Sequence, residues 1–247
     1  MITLCIVMTA FVAGFVQAVT GFGCNIIMMA VLPFLIAVTD AAVVSDLCAA
    51  ALVYALTWKY RSSLNGRKIA LPIVFYFAFG ALMIRVSVYI GNLRVLESLL
   101  GFFLLIFAVI NTFFSDAIHI KGNIPAAVIC GTVSGIMGGL FSMGGPGMAF
   151  YNLSVSETKE EYLGNSSLFL ALAATENNLL RIAGGLVTEP MIPWALGGAG
   201  AMLLGKVLGD RAVQKMPIDR IKRSVYGLMG VSGLLTLLKG AGVFSEV

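Results

Sequence analysis

Charged residues are scarce in this sequence. Asp, Glu, Lys and Arg make up 11% of its 247 residues, whereas 59% of the residues are hydrophobic. A soluble domain has about 25% charged residues, so this chain has too few polar groups to cover a water-exposed surface. The composition therefore predicts a protein that spans a lipid bilayer. The first 36 residues lack the basic start of a secretory signal peptide, and we expect them to belong to the mature protein.

Histidines and paired cysteines are also missing. The sequence has a single histidine, His119, and its four cysteines stand alone with no CxxC pair. Neither a metal site nor a His-based active site therefore finds its usual ligands here. No phosphate-binding glycine loop of a nucleotide-driven pump occurs either. Lys and Arg lie between apolar segments, which is typical of membrane topology and not of nucleic acid binding. We expect neither an enzyme nor a cofactor.

Eight long apolar segments fill most of the chain. They lie at roughly 2–36, 41–58, 69–91, 94–114, 124–153, 164–187, 191–208 and 220–240. A membrane-spanning helix needs about 20 residues, so the first and fifth segments are too long for a single crossing. Both are interrupted by helix-breaking residues, TGFG at Thr20–Gly23 and GGPG at Gly144–Gly147. These two interruptions require an explanation.

The two interruptions occupy similar places in the two halves of the sequence. A shift of 124 residues puts GFVQAVTGFG (Gly14–Gly23) over GGLFSMGGPG (Gly138–Gly147), and three glycines then coincide. In each half, one long broken segment precedes three ordinary apolar segments. We therefore predict two related membrane units, 1–120 and 121–247.

The basic residues predict the topology. Lys and Arg cluster at 59–68 and at 206–223, and the positive-inside rule places both clusters in the cytoplasm. Five apolar segments lie between the clusters, so an odd number of them must fail to cross. The fifth segment, broken at GGPG, is the natural candidate, and the first is its equivalent. The alternative is that Lys206, Arg211 and Lys215 lie at the membrane interface or in a cavity.

The predicted fold is thus an all-α polytopic membrane protein with two inverted repeats. Each repeat is a re-entrant, glycine-tipped helical hairpin followed by three transmembrane helices, and both termini face outward. This is the plan of many secondary transporters.

A helix that starts again inside a bilayer offers backbone N–H groups that have no intrahelical acceptor. Such a break is tolerated only within protein or beside a wet cavity. The free N–H groups and the helix dipole together bind anions without a charged side chain. We therefore predict a small-anion site between the two tips, near the membrane midplane. Its expected residues are Gln17, Thr20, Gly21, Gly23, Asn25, Ser142, Gly144, Gly145 and Gly147.

The alternative role for a membrane glycine is to allow close helix packing. We favour that role for Gly14, Gly131, Gly135 and Gly138.

Charges inside apolar segments are the remaining candidates, because they are costly there and usually functional. Arg85 can act as counter-charge for the anion, or lie near the outer interface. Glu176 can carry a coupling proton, and Arg181, five residues further on, is a second coupling candidate. The alternative for Glu176 is a structural tie to an Arg or Lys of another helix. For Asp46 we favour an interfacial position at a helix start, with a coupling role as the alternative.

The stretches VQAVTGFGCNIIMMAVLPFL and GIMGGLFSMGGPGMAF, one in each half, resemble the sulfite exporter TauE/SafE family, also called the toluenesulfonate uptake permease family. The resemblance covers the whole chain in length and segment order. It implies a multi-pass protein of the bacterial inner membrane that moves sulfite, sulfonates or similar anions. Glycines 21, 23, 144, 145 and 147 match the family's glycine motifs. The first tip, TGFG, departs from the usual GxGGG run.

The predicted function is secondary transport of a small anion by alternating access, with sulfite or a sulfonate favoured by the resemblance. An anion channel of the same architecture is the alternative. The anion and the lipid bilayer are the expected partners, and a homodimer is the expected assembly.

Overall fold

The chain folds into α-helices throughout the part that can be described. The computed structural model describes residues 1–21, 23–114, 122–213 and 218–243. Within these ranges the helices are α1 (Ile2–Thr20), α2 (Cys24–Val31), α3 (Val38–Lys59), α4 (Gly66–Ile90), α5 (Leu93–Val109), α6 (Ile124–Phe141), α7 (Gly145–Val155), α8 (Lys159–Ala183), α9 (Met191–Val213) and α10 (Ile218–Gly240). A 3-10 turn, Leu32–Phe34, follows α2, and a π-helical turn, Ile110–Phe114, follows α5. The predicted all-α class is confirmed. His119 and Lys215 lie outside the described residues.

Five of these helices are long and apolar enough to cross a membrane. They are α3, α4, α5 with its π turn, α6 and α9. Apolar stretches of α1, α2 and α10 are shorter. The 25-residue helix α8 is more polar, because it begins with KEEY and carries Glu176 and Arg181 further along. The chain is therefore a multi-pass membrane protein, as its composition predicts.

Helices α3, α4 and α8 define the two ends of the bundle. On α8, Arg181 pairs with Asp46 and Thr175 bonds to Tyr54, so α3 and α8 are antiparallel. At the other end, Lys68 near the start of α4 forms ion pairs with Glu157 and Glu161 around the start of α8. We call the end where α4 and α8 begin the Gly66 end, and the end where α4 finishes and α3 begins the Ile90 end.

Helix α6 runs beside α4 in the same direction but stops early. Gly139, near the end of α6, lies against the backbone of Gly80. From there α4 continues for ten residues to Ile90, which corresponds to about 15 Å of helix. The next helix, α7, then turns back, and its last residue, Val155, contacts Gly122 just before α6. Both outer ends of the α6–α7 pair therefore lie at the Gly66 end.

The first two helices have the opposite orientation. Helix α1 runs parallel to α9, since Val7 contacts Gly197 and Ala18 contacts Gly209. Beyond α2, the carbonyl of Pro33 accepts a hydrogen bond from Nζ of Lys239, near the end of α10. Helix α9 begins just after α8 ends at the Ile90 end, and Lys239 also pairs with Glu97 near the start of α5, which follows Ile90. The start of α1 and the end of α2 therefore both lie at the Ile90 end.

The helix pairs repeat a single pattern. Helix α1 packs on α9 and α6 packs on α4, while α3 packs on α8 and α5 on α10. Exchanging α1–α5 with α6–α10 leaves this set of pairs unchanged. The largest buried apolar cluster lies around α1, α2, α3, α5 and α6 and includes Met28, Leu52 and Phe141.

Glycines bring these helix backbones into direct contact. A Cβ on Gly14 would overlap the Met202 carbonyl, and one on Gly131 would overlap the Pro72 carbonyl. Similarly, a Cβ on Gly135 or Gly138 would overlap Tyr76. The packing role predicted for these four glycines is confirmed, because only a residue without a side chain permits such an approach.

Candidate functional site

The two interhelical turns meet in the interior of the bundle. In the first turn, Gly21 and Gly23 have φ angles of 78° and 103°, a left-handed conformation that glycine adopts without strain. The second turn begins at Ser142, whose φ is 62°; it is the one non-glycine residue with positive φ among those described. Nδ2 of Asn25 donates a hydrogen bond of 2.8 Å to the Ser142 carbonyl. This bond joins the first tip to the second.

The structure aligns the tips with a smaller shift than the sequence does. Gly21 and Ser142 are the left-handed residues that end α1 and α6. Gly23 and Gly144 are the residues that precede α2 and α7. The equivalence is therefore a shift of 121 residues, three fewer than the shift that superposes the glycines.

Neither helix that leaves a tip is capped by the side chain of its own N-cap residue, because that residue is a glycine. In the first tip, the N–H of Cys24 donates to Oε1 of Gln17 at 3.1 Å, and Nε2 of Gln17 donates to the Gly21 carbonyl at 3.0 Å. Gln17 thus closes the first turn. Helix α7 begins with Gly145, Pro146 and Gly147, so its first turn exposes backbone and little side chain. The side chain of Thr20 lies outside the described part of the chain.

A buried ion pair lies beside the tips. Oδ2 of Asp46 is 2.5 Å from Nη1 of Arg181, and each side chain is only 3% exposed. The interfacial position predicted for Asp46 is therefore wrong. The reason is that α3 begins at Val38, ahead of the apolar segment predicted from Ala41, which puts Asp46 two helical turns inside the helix.

The Asp46 carboxylate accepts hydrogen bonds from three further side chains. Its Oδ2 lies 2.9 Å from Oγ of Ser142 and 3.0 Å from Nδ2 of Asn177. Its Oδ1 lies 3.0 Å from Nδ2 of Asn25. Together with Arg181, the donors come from α2, from the second tip and from α8, so this single carboxylate connects both tips.

The Arg181 guanidinium also contacts the ends of neighbouring elements. Its Nη1 lies 2.9 Å from the Ala42 carbonyl and 2.8 Å from Oγ of Ser142. Its Nη2 donates to the Gly139 carbonyl at 3.2 Å. Gly139 belongs to the last turn of α6, where carbonyls lack intrahelical partners and favour a cation. Among the described residues, no acceptor is found for the Nε–H of Arg181.

Two predicted charged residues lie outside this cluster. Oε2 of Glu176 is buried beside Gly80 and has no hydrogen-bond partner among the described residues. No ion pair joins Glu176 to an Arg or Lys of another helix among the described residues, and Arg181, on the same helix, pairs with Asp46. Arg85 is exposed and lines a neighbouring cavity of about 430 Å³. In the described ranges, no three His, Cys, Asp or Glu side chains are grouped to hold a metal ion.

Cavities of very different size lie on the two sides of the pair. Arg181, together with Asp40 and Ser87, lines a cavity of about 360 Å³ at the Ile90 end. Toward the Gly66 end, Gln17 and Gly21 line a cavity of about 40 Å³. Asp210 borders this smaller cavity and forms ion pairs with Lys59, at 3.7 Å, and with Lys206.

Comparison with known protein families decides the family of this chain. The family model described as "Sulfite exporter TauE/SafE" matches residues 6–236. The chain belongs to this family. The resemblance seen in the two glycine-rich tips is thereby confirmed. Comparisons with curated proteins and with solved structures gave no match. TauE/SafE proteins are membrane transporters of sulfur compounds and not enzymes.

The sequence pointed to part of this TauE/SafE site only. Asn25, Ser142, Asp46 and Arg181 were all candidates, and the structure brings them together. Asn177 was missed. Its position was nevertheless a usable signal, since residues four apart on a helix share a face, and Asn177 precedes Arg181 by four. Glu176 precedes Arg181 by five residues, and its side chain contacts Gly80 of α4 instead.

Proposed function

We propose that this TauE/SafE protein is a secondary transporter of a small sulfur-containing anion, sulfite or a sulfonate, which binds between the two tips. The observation that carries the proposal is the meeting of both tips at Arg181, inside a protein of apolar composition. Asn25 bonds to Ser142, and Ser142 contacts the guanidinium directly. A buried guanidinium has the planar donor geometry that sulfite and sulfonate oxygens fit.

Helix polarity adds to the attraction. The N-terminus of a helix carries about half a positive charge, and α2 and α7 both begin at the tips. The first N–H of α2 bonds to Gln17, whereas the N-cap glycine of α7 offers no capping side chain. A small anion is therefore favoured there by two helix ends as well as by Arg181. The substrate-binding residues we propose are those of the tips, with Arg181 and Asn177 in place of Arg85.

The helix pairing supports two inverted repeats, 1–120 and 121–247. The α1–α2 pair opens at the Ile90 end and the α6–α7 pair at the Gly66 end, as expected for two re-entrant hairpins of opposite orientation. Helices α6 and α1 each pack on a helix of the other half, α4 and α9. This is the plan of inverted-repeat transporters, with the site at the interface of the repeats.

The unequal cavities favour a carrier over a channel. The site is approached by a large cavity from the Ile90 end, whereas ion pairs of Asp210 border the small cavity on the other side. Alternating access requires such an arrangement, with one side open while the other is closed. The outward-facing termini, the bacterial inner membrane and the homodimer stay predictions.

Counterflow of radiolabelled sulfite in proteoliposomes tests the proposal. We expect labelled sulfite to accumulate in vesicles that are preloaded with unlabelled sulfite. Unlabelled sulfonates added outside should reduce this accumulation. Arg181→Gln should abolish accumulation, while Arg94→Gln, at an exposed arginine of α5, should retain it. Flux without counterflow would identify a channel. Competition among sulfonates without sulfite accumulation would keep the transport function and exclude sulfite, and no signal with any of these anions would refute the proposal.

A further inference from the structure

The Asp46 carboxylate already occupies the position of an anion in this site. Its oxygens accept a hydrogen bond from each donor that an incoming anion would need: Arg181, Ser142 and Asn25. We propose that Asp46 is an exchangeable internal anion: the substrate displaces it from Arg181 while Asp46 takes up a proton, so that one proton moves with each anion. This inference rests on the proposed function and names its coupling ion.

The donors around Asp46 are shared among too many acceptors. Nη1 of Arg181 has two hydrogens, but it faces the Asp46 carboxylate, the Ala42 carbonyl and the Ser142 hydroxyl. The Ser142 hydroxyl has one hydrogen for either Asp46 or the Ala42 carbonyl. A protonated, neutral Asp46 accepts fewer of these hydrogen bonds. The N–H and O–H groups that no longer bond to Asp46 then become available to a second anion at the same place.

The charge balance requires a proton. Asp46 and Arg181 together are neutral, so adding a monoanion leaves one uncompensated negative charge in a buried site, which is strongly unfavourable. Protonation of Asp46 restores neutrality, because the substrate then pairs with Arg181. The other titratable groups that face Asp46 are Cys24 on α2 and Tyr76 on α4, and both are neutral near pH 7. From α6 the contact is the Ser142 hydroxyl.

The proton and the anion have a common route. Arg181 lines the large cavity at the Ile90 end, next to Asp40 and Ser87, so water can carry a proton to the pair from that side. The proton bonds to a carboxylate oxygen of Asp46 as the contact with Arg181 opens. The anion then accepts a hydrogen bond from the N–H group of Arg181 that Asp46 has left. When the anion leaves on the other side, the proton leaves as well and the ion pair forms again.

Sulfite binding to the purified full chain, measured by calorimetry from about pH 6 to about pH 8, tests this inference. In Asp46→Asn, binding no longer competes with an internal charge. At pH values where Asp46 is ionised in the free protein, each rise of one pH unit should lower the sulfite affinity of the wild type about tenfold more than that of the variant. The ionisation of sulfite itself affects both proteins equally and cancels in the ratio. In Glu176→Gln, sulfite affinity should change with pH as it does in the wild type.

Calorimetry on the wild type alone, in buffers of different ionisation enthalpy, gives an independent count of about one proton taken up by the protein per anion. The inference would be overturned if sulfite affinity changed equally with pH in the wild type and in Asp46→Asn. It would also be overturned if this pH dependence were lost in Glu176→Gln but not in Asp46→Asn. Either result would leave the transport function intact. The neutral double variant Asp46→Asn with Arg181→Gln should remain monodisperse and fail to bind sulfite. If the wild type binds a sulfonate but not sulfite, the same measurements apply to that sulfonate. A wild type that binds neither at any pH would overturn the proposed function, and this inference with it.

Discussion

Asn25 on α2 and Ser142 at the end of α6 are joined by a hydrogen bond of 2.8 Å, although they are 117 positions apart in the chain. Both residues also contact the Asp46 carboxylate, which in turn pairs with Arg181. The contact between the tips and the ion pair therefore form one network. A change at any member should affect the relative position of the two tips as well as the charge of the site.

Removal of Arg181 should destabilise the protein. Arg181→Gln leaves the Asp46 carboxylate buried without a counter-charge, which costs about 3–5 kcal/mol of the free energy of unfolding. The double variant Asp46→Asn with Arg181→Gln removes both charges and should recover most of this loss. Thermal unfolding of the purified proteins in detergent measures the loss of stability in the single variant and its recovery in the double variant. A double variant as unstable as the single one would contradict the explanation.

Ser142 combines an unfavourable backbone conformation with a functional hydroxyl. Its φ of 62° is a left-handed conformation that glycine adopts more easily than other residues. Ser142→Gly should therefore be more stable than Ser142→Ala by about 1 kcal/mol. Both variants lose the hydroxyl that contacts Asp46 and Arg181, so both should transport sulfite less well. Equal stability of the two variants would argue against the described backbone conformation.

Two glycines of α9 offer a matched test of helix packing. A Cβ on Gly205 would overlap the Phe11 carbonyl of α1, whereas nothing lies within 4 Å of a Cβ on Gly200. Gly205→Ala should lower the free energy of unfolding by about 1–3 kcal/mol, because α1 must move away. Gly200→Ala should leave it unchanged or raise it by up to about 1 kcal/mol, since alanine favours a helix. Similar unfolding temperatures for the two variants would contradict the close contact.

The first tip can be tested with two glycines of positive φ. Gly23, with φ of 103°, precedes α2 at the tip, and Gly185, with φ of 67°, follows α8 where nothing lies within 4 Å of an added Cβ. Alanine at either position strains the backbone by a similar amount, about 1–2 kcal/mol. Only Gly23→Ala should abolish sulfite counterflow, because it reorients the first N–H groups of α2. Counterflow lost to the same degree in Gly185→Ala would show that strain alone is responsible.

The topology can be tested with single cysteines introduced into a cysteine-free variant. Cysteines at Ser62 and Glu157 should react with a membrane-impermeant reagent from the same face, because the α6–α7 pair returns to the Gly66 end. Cysteines at Asn92 and Glu189 should react from the opposite face. Labelling of Ser62 and Glu157 from different faces would mean that this pair crosses the membrane.

Local composition predicts some features of this protein well. Scarce charge and long apolar segments indicate a membrane protein, because few residues can satisfy a water-exposed surface. Glycine and proline inside such segments predict breaks, since they are the residues that interrupt a helix. Glycines 14, 131, 135 and 138 were assigned to packing, and the structure confirms this. All of these conclusions depend on properties of neighbouring residues.

The order of residues along the chain is enough to predict the membrane class, the family, the two broken segments and most of the polar residues at their tips. Which charges meet depends on the fold. Asp46 and Arg181 are 135 positions apart, and their pairing depends on how α3 crosses α8 and where α3 begins. Periodicity along one helix cannot supply this information. Packing between helices that are distant in the chain brings Arg181, and not Arg85, to Asp46 and leaves Glu176 outside this pair.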